Sequence, residues 1–248
     1  MATEHPAGEP TARRRPLRGV VGVLGDVLFT IGVLLALLVV YSLWWTNLTA
    51  ARHAGLAAEQ LRKSWSATAP TPAPTGAAGT AAPPPFDAGG GIGFLHVPAL
   101  GTGYQVLIKV GADEDTLADG VAGAYTEPYP SAMPWEAQGN FALAAHRDGH
   151  GAKFHDLDRL KPGDPLVVET RDRWYVYRVD ATLPQTSKYD TGVIAPVPTG
   201  SPYTEPGRYI TLTTCTPVYT SLYRMAVWGS LVREQPVDPG RTPPPELR

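Results

Sequence analysis

Cys215 is the only cysteine in 248 residues, and Arg224 follows it nine positions later in the run TLTTCTPVYTSLYR. A thiol reacts as the thiolate, which needs a neighbouring histidine or cation to stabilise it or take its proton. Attack on a carbonyl also needs donors where the oxyanion forms, and a guanidinium offers two in one plane. Cysteine, histidine and arginine together make a set for acyl transfer through a thioester. The competing assignment for Cys215 is a buried thiol acting as a small hydrophobe. For Arg224 it is a solvated strand residue.

Six histidines are present, and four of them, His96, His146, His150 and His155, fall in the region that carries the cysteine. His96 sits mid-strand beside Val97 and reads as structural. His150 lies in a Gly-His-Gly loop and His155 in the short stretch KFHDLDRL, and solvent suits both. His146 closes the apolar run NFALAAH, where a strand leaves the core and presents its last side chain rigidly. Spacing favours His146 without eliminating the other three. Arg224 opens the strand-like run YRMAVWGSLV. Antiparallel pairing of that strand with the one ending in Cys215 would return the guanidinium beside the thiol.

Other chemistries find less support. A single cysteine allows neither an intramolecular disulfide nor a paired-cysteine zinc knot. No acid cluster points to a metal, and no cofactor is expected. A formal net charge of −2 provides no basic field for nucleic acid.

The elements that must position these residues come after an N-terminal anchor. Residues 1–19 form a tail ending in the basic group Arg13, Arg14, Arg15 and Arg18. Residues 20–45 follow, with 19 uncharged positions from Val27 to Trp45, enough for a helix to span a bilayer. The arginines before the span predict a cytoplasmic N-terminus, and Tyr41, Trp44 and Trp45 form the outer aromatic belt. A cleaved signal peptide would have a shorter apolar region. Residues 46–91 read as a juxtamembrane helix and, from 66, a Pro/Gly/Ala-rich linker that cannot make a core. Residues 236–248 read as a disordered Pro-rich tail.

Residues 92–235 remain as a domain of seven strand-like runs separated by Gly, Pro and Asp turns. The pattern predicts a mostly β fold, a sandwich or closed barrel, with short helices near Asp115–Val121 and Lys153–Leu160.

The run Thr211-Leu212-Thr213-Thr214-Cys215 with Arg224 resembles the TLxTC…R signature of sortases. The segment GNFALAAHRDGHGAKFHDLDRLKPGD, residues 139–164, resembles the histidine segment of the same family, and VPALGTGYQVLIKVG its first strands. This sequence departs in having Ala145 before the histidine, where the family has glycine. The stretch YTEPYPSAMPWEAQGN is also longer than its family counterpart. The resemblance implies a sortase-type closed β-barrel of about eight strands. It implies a catalytic set of His146, Cys215 and Arg224, with Thr214 and Tyr125 on the substrate side.

In function, the resemblance implies a single-pass, membrane-anchored cysteine transpeptidase whose catalytic domain is extracellular. Its partners would be secreted proteins carrying a C-terminal sorting signal and a peptidoglycan precursor or cell-wall peptide amine. The run YITLTTCTP and the anchor layout are most similar to class E sortases of actinobacteria, which implies cleavage of Leu-Ala-x-Thr-Gly between Thr and Gly. Classes D and F stay open. The alternatives are a cysteine peptidase that hydrolyses the same kind of signal and a non-catalytic wall-binding barrel.

Overall fold

Alternation writes the barrel into the chain. In Arg208–Thr216 the residues Ile210 and Leu212 point into the core, while Thr211, Thr213 and Cys215 point the other way. In Tyr223–Pro236, Met225 and Val227 point inward and Ala226 and Trp228 outward. The computed structural model describes residues 17–67 and 91–248. Most of the expected basic tail (1–16) and of the expected linker (68–90) lies outside the described residues.

Eight strands close into a barrel. They are β1 (Gly93–His96), β2 (Gln105–Val110), β3 (Ala122–Ala124), β4 (Gly139–Ala144), β5 (Pro165–Glu169), β6 (Arg173–Ser187), β7 (Arg208–Thr216) and β8 (Tyr223–Pro236). Their spatial order is β1-β2-β3-β4-β7-β8-β6-β5. The pairs β2–β3 and β4–β7 are parallel, and the others antiparallel. The interior is filled by residues such as Leu95, Ile108, Phe141, Leu143, Tyr175, Tyr177 and Leu212. Beyond the long helix α1 (Leu17–Ala67), a second α-helix is short, α2 (Glu114–Ala118), capped where Asp113 accepts from Thr116 N–H at 2.9 Å. The helix expected near Lys153–Leu160 is only a 3₁₀ turn at Leu157–Arg159.

α1 divides between two units at Trp44/Trp45. In the first, Leu24, Leu28, Phe29, Leu34 and Leu38 are all exposed, so the helix is apolar all round, and it is long and apolar enough to cross a membrane. In the second, the helix packs on the barrel. Ala50 and Leu61 are buried, and Leu61 covers Phe94, Leu107 and Val121. Trp65 meets Phe94 edge-on at 5.4 Å. These outward-facing apolar side chains of β1 and β2 would otherwise meet water.

The C-terminal segment is likewise placed, where a disordered tail was expected. Val237 N–H donates to Asp172 O at 2.9 Å, and Val237 and Leu247 cover Val167, Trp174 and Val176. Arg233 pairs with Glu246 at 2.7 Å. Pro244 is extended and Pro245 opens a last 3₁₀ turn, Pro245–Leu247, where the missing N–H costs nothing.

Glu169 ties helix, barrel and tail together. Its buried carboxylate accepts from His96 at 2.9 Å, from Arg62 of α1 at 3.2 Å and from Arg241 of the tail at 2.8 Å. The Arg241 guanidinium lies 4.4 Å from the Trp65 ring centre. Burial pushes the Glu169 pKa up, but the bonds from His96 and Arg241 and the Arg62 charge more than reverse this and hold it at about 2. A carboxylate depressed from 4.5 to about 2 contributes stability that is present above pH 4.5 and lost as pH falls toward 2. Glu169→Ala should therefore cost about 1.5–3 kcal/mol at neutral pH, because it removes the bonds to a buried carboxylate while Arg62 and Arg241, which are partly exposed, can return to water. Melting curves should show the gap between wild type and variant narrowing from pH 4.5 downward. A gap constant with pH would dissociate the cluster from acid stability.

Candidate active site

Three adjacent strands deliver the three residues to one end of the barrel. β7 ends at Cys215, and in the antiparallel register with β8 its direct partner is Arg224. Both lie on the outward face with Thr213 and Ala226. On the other side β4 runs parallel to β7, with Ala144 opposite Thr213. Two further bonds extend that register: Ala145 N–H donates to Thr213 O at 3.3 Å, and the Thr214 hydroxyl donates to Ala145 O at 2.8 Å. His146 therefore leaves the sheet at the level of Cys215. The expected return of Arg224 to the thiol is met by this pairing.

The other histidines are sorted by their partners. His96 belongs to the Glu169 cluster on β1, four strands from β7 in either direction around the barrel. His155 Nδ1–H donates to Arg147 O at 2.9 Å, while Arg147 Nε–H donates back to His155 O at 3.2 Å, so His155 is a latch. His150 does come to the site. Its ring stacks on His146 with centroids 5.0 Å apart at 29°.

His146 Nε2 is buried and has no hydrogen-bond partner among the described residues. Buried polar atoms left this way in native folds mark functional sites often enough to need explanation. Burial lowers the His146 pKa, the His150 charge lowers it further, and Glu114 on α2 opposes both. The ring is thus held toward its neutral form, with a nitrogen waiting for a proton or a donor.

Arg147 is the residue that sequence reasoning missed. It is 5 % exposed, and its Nη1 donates to the Thr216 hydroxyl at 3.0 Å and to Cys215 O at 3.4 Å. Its Nη2 pairs with Asp158 at 2.8 Å. One buried guanidinium thus bolts the histidine segment to the strand end that carries the thiol. The signal was its place directly after His146, at the end of the apolar run that leads out of the core.

Tyr125 follows β3, and its hydroxyl bonds the Thr213 hydroxyl at 2.8 Å. Burial raises the pKa of this phenol, the bond to Thr213 and the Arg224 charge lower it, and Cys215 raises it again, which brings Tyr125 to the site. Thr214, expected on the substrate side, instead points inward and spends its hydroxyl on Ala145 O. Thr213 takes the outward position, as strict alternation from Cys215 would have given. Arg224 Nη1 donates to Ser221 O at 3.1 Å and Tyr223 O at 2.9 Å, and neither bond uses Nη2 or Nε. The remaining donors fit an oxyanion.

A closed barrel that gathers a cysteine, a histidine and an arginine at the ends of neighbouring strands holds the residue types that acyl transfer through a thioester needs. The sortase-domain family profile matches residues 95–232, and the chain belongs to the sortase family of cysteine transpeptidases. Sortase SrtE2 of Streptomyces coelicolor is 50 % identical over 253 residues, covering 99 % of this chain and 98 % of the relative. SrtE1 of the same organism is 43 % identical over 231 residues, 92 % of this chain and 62 % of the relative. Among solved structures, sortase E1 from Streptomyces coelicolor with a tripeptide in its active site matches with a TM-score of 0.60 at 45 % identity, covering 64 % of this chain and 96 % of that one. Sortase E from Streptomyces avermitilis matches at 0.56 and 34 % identity, covering 64 % and 97 %.

The stacked ring generates a titration prediction. His150→Ala removes a neighbouring charge and opens His146 to water, and both changes favour the imidazolium. The His146 midpoint, followed by NMR of the ring protons, should move up. Glu114→Gln removes the charge that opposes the depression and should move it down. Midpoints that shift the other way would separate His146 from both neighbours.

Proposed function

We propose that this chain is a membrane-anchored sortase that cleaves a C-terminal Leu-Ala-x-Thr-Gly signal between Thr and Gly and transfers the acyl group to a cell-wall peptide amine. The observation that carries the proposal is the direct pairing of Cys215 with Arg224, with His146 leaving the neighbouring strand at the same level. Similarity to a class E sortase along 99 % of the chain supports the specific signal. The apolar first half of α1 supports the anchor, and the arginines before it support a cytoplasmic N-terminus with the barrel outside.

The reaction runs in two halves. The Cys215 thiolate attacks the threonine carbonyl carbon, and Arg224 donates to the oxygen as it gains charge. The imidazolium of His146 gives its proton to the leaving glycine nitrogen as the C–N bond breaks, leaving a thioester on Cys215. The incoming amine then attacks the thioester, His146 takes its proton, and the thiolate leaves. Tyr125, tied to Thr213 beside the thiol, lines the path of the peptide on the substrate side. Thr214 acts from inside, by holding β7 to β4 at the level of His146.

Incubating the full chain in detergent with a panel of sorting peptides, with and without added amine, tests the reading by product mass. Cleavage after Thr with amine-dependent transfer is expected. Cleavage to the acid alone, indifferent to amine, would make the protein a peptidase. Cys215→Ala should abolish product with little loss of melting temperature, because the thiol is only partly buried at a strand end. Arg224→Lys should lose at least about 10²-fold in kcat/KM, since an ammonium cannot copy a planar pair of donors. Near-normal cleavage by the lysine variant would leave Arg224 as a mere electrostatic neighbour.

A further inference from the structure

The histidine segment turns through an uncommon backbone. Gly149, His150, Gly151 and Ala152 have φ of 65°, 45°, 78° and 43°, four consecutive residues in the left-handed region. Glycine enters that region freely, whereas His150 and Ala152 enter it against the steric preference of any residue with a Cβ. Inside the turn, the Ala152 N–H donates to Gly149 O at 2.7 Å. One internal bond is little to hold four such residues, so the surroundings must do so.

Phe154 N–H on His146 O and His155 N–H on Ala152 O, both at 3.0 Å, close the segment beyond the turn, and α1 adds a hold from outside it. The Gly151 N–H donates to Asn47 Oδ1 at 2.9 Å, across 104 residues of sequence. One turn along the helix, Ala50 is 1 % exposed and sits where three elements converge. A Cβ on Gly120 would meet Ala50 Cβ and Ala50 O at 3.2 Å and His150 O at 3.1 Å, so only glycine lets the helix and the turn come this close. His53, one turn further, pairs with Asp119 at 3.2 Å, and Lys109 holds the same carboxylate at 2.9 Å. At the far side of the turn lies the His150 ring, stacked on His146.

We propose that Asn47 and Ala50 are positioning residues for acyl transfer. They brace the left-handed turn from below, keep His150 against His146, and so link the helix that leaves the apolar span to the geometry of the histidine. Neither residue touches the thiol or the substrate. The proposal rests on the reading of His146 as the proton carrier. It makes the membrane-proximal helix part of the active machinery, and the barrel cut free of it keeps its strands and loses this brace.

The test uses the full chain in detergent and three variants. Asn47→Ala removes the acceptor, Asn47→Asp keeps an oxygen there, and Ala50→Leu overfills the contact with Gly120. Hydrogen exchange over 149–153 and kcat and KM for a sorting peptide are measured on each. Loss of one hydrogen bond corresponds to about a tenfold change in an equilibrium or rate. Asn47→Ala should therefore raise exchange in the turn about tenfold and lower kcat about tenfold, with KM within about twofold, and Ala50→Leu should do the same. Asn47→Asp should restore both. Wild-type exchange and kcat in Asn47→Ala would overturn the proposal, and so would a loss that Asn47→Asp shares in full. If the wild-type chain cleaves no peptide, the functional reading fails instead. The brace is then judged on exchange and on the His146 ring resonances, and is overturned if Asn47→Ala leaves both unchanged.

Discussion

Everything at the site depends on β7 having a parallel neighbour on one side and an antiparallel one on the other. The parallel neighbour, β4, leaves the sheet at the same end as β7 and carries His146 out beside Cys215. The antiparallel neighbour, β8, enters at that end and brings Arg224 in. A slip of one residue between β7 and β8 would turn the guanidinium into the core and ruin the arrangement. The register is secured from inside by the Thr214 hydroxyl on Ala145 O and from the flank by Arg147. A buried arginine is tolerated there because Asp158 and three protein oxygens accept hydrogen bonds from its N–H groups.

The outward face of these three strands carries small side chains, Ala142, Thr213 and Ala226, all buried under the residues packed over them. The connection between β6 and β7 closes one side, where Val193 and Ile194 pack on Trp228 and the Trp228 N–H donates to Val193 O at 3.0 Å. Tyr125 closes the other. The walls are thus built from loops, and the floor and the reactive residues from strands. That division allows the loops to vary in length without disturbing the strands that carry the reactive residues.

Sequence patterns foretold much of this unevenly. The alternation of β7 and β8 and the strand-end place of His146 were legible because each is a local signal. β3 was not, since Ala122-Gly123-Ala124 has no branched or aromatic residue to mark a strand. Its glycine is there because a Cβ on Gly123 would collide with the Gly111 carbonyl. The packing face of α1 was legible but unread: Ala50, Ala54, Ala57, Leu61 and Trp65 recur at helical spacing, and the first of them fits against a glycine. The tail was misjudged because proline-rich composition says nothing about a single arginine, Arg241, that finds a buried carboxylate 72 residues away.

The depressed pKa of His146 looks at first like a handicap for a residue that must donate a proton in the first half of the proposed reaction. A lower pKa makes the imidazolium rarer at neutral pH, yet it also makes it a stronger acid toward the leaving glycine nitrogen. In the second half the same shift leaves the ring neutral and free to take the proton of the incoming amine. General acid–base catalysis weighs the fraction in the right form against the driving force for transfer, and a residue that serves both halves gains from sitting near the operating pH or somewhat below it. The burial of Nε2, the stacked His150 and the opposing Glu114 are the three contributions that set this balance. Two of them, the burial and the stacking, depend on how the segment from Arg147 to Ala152 is folded over the strand end.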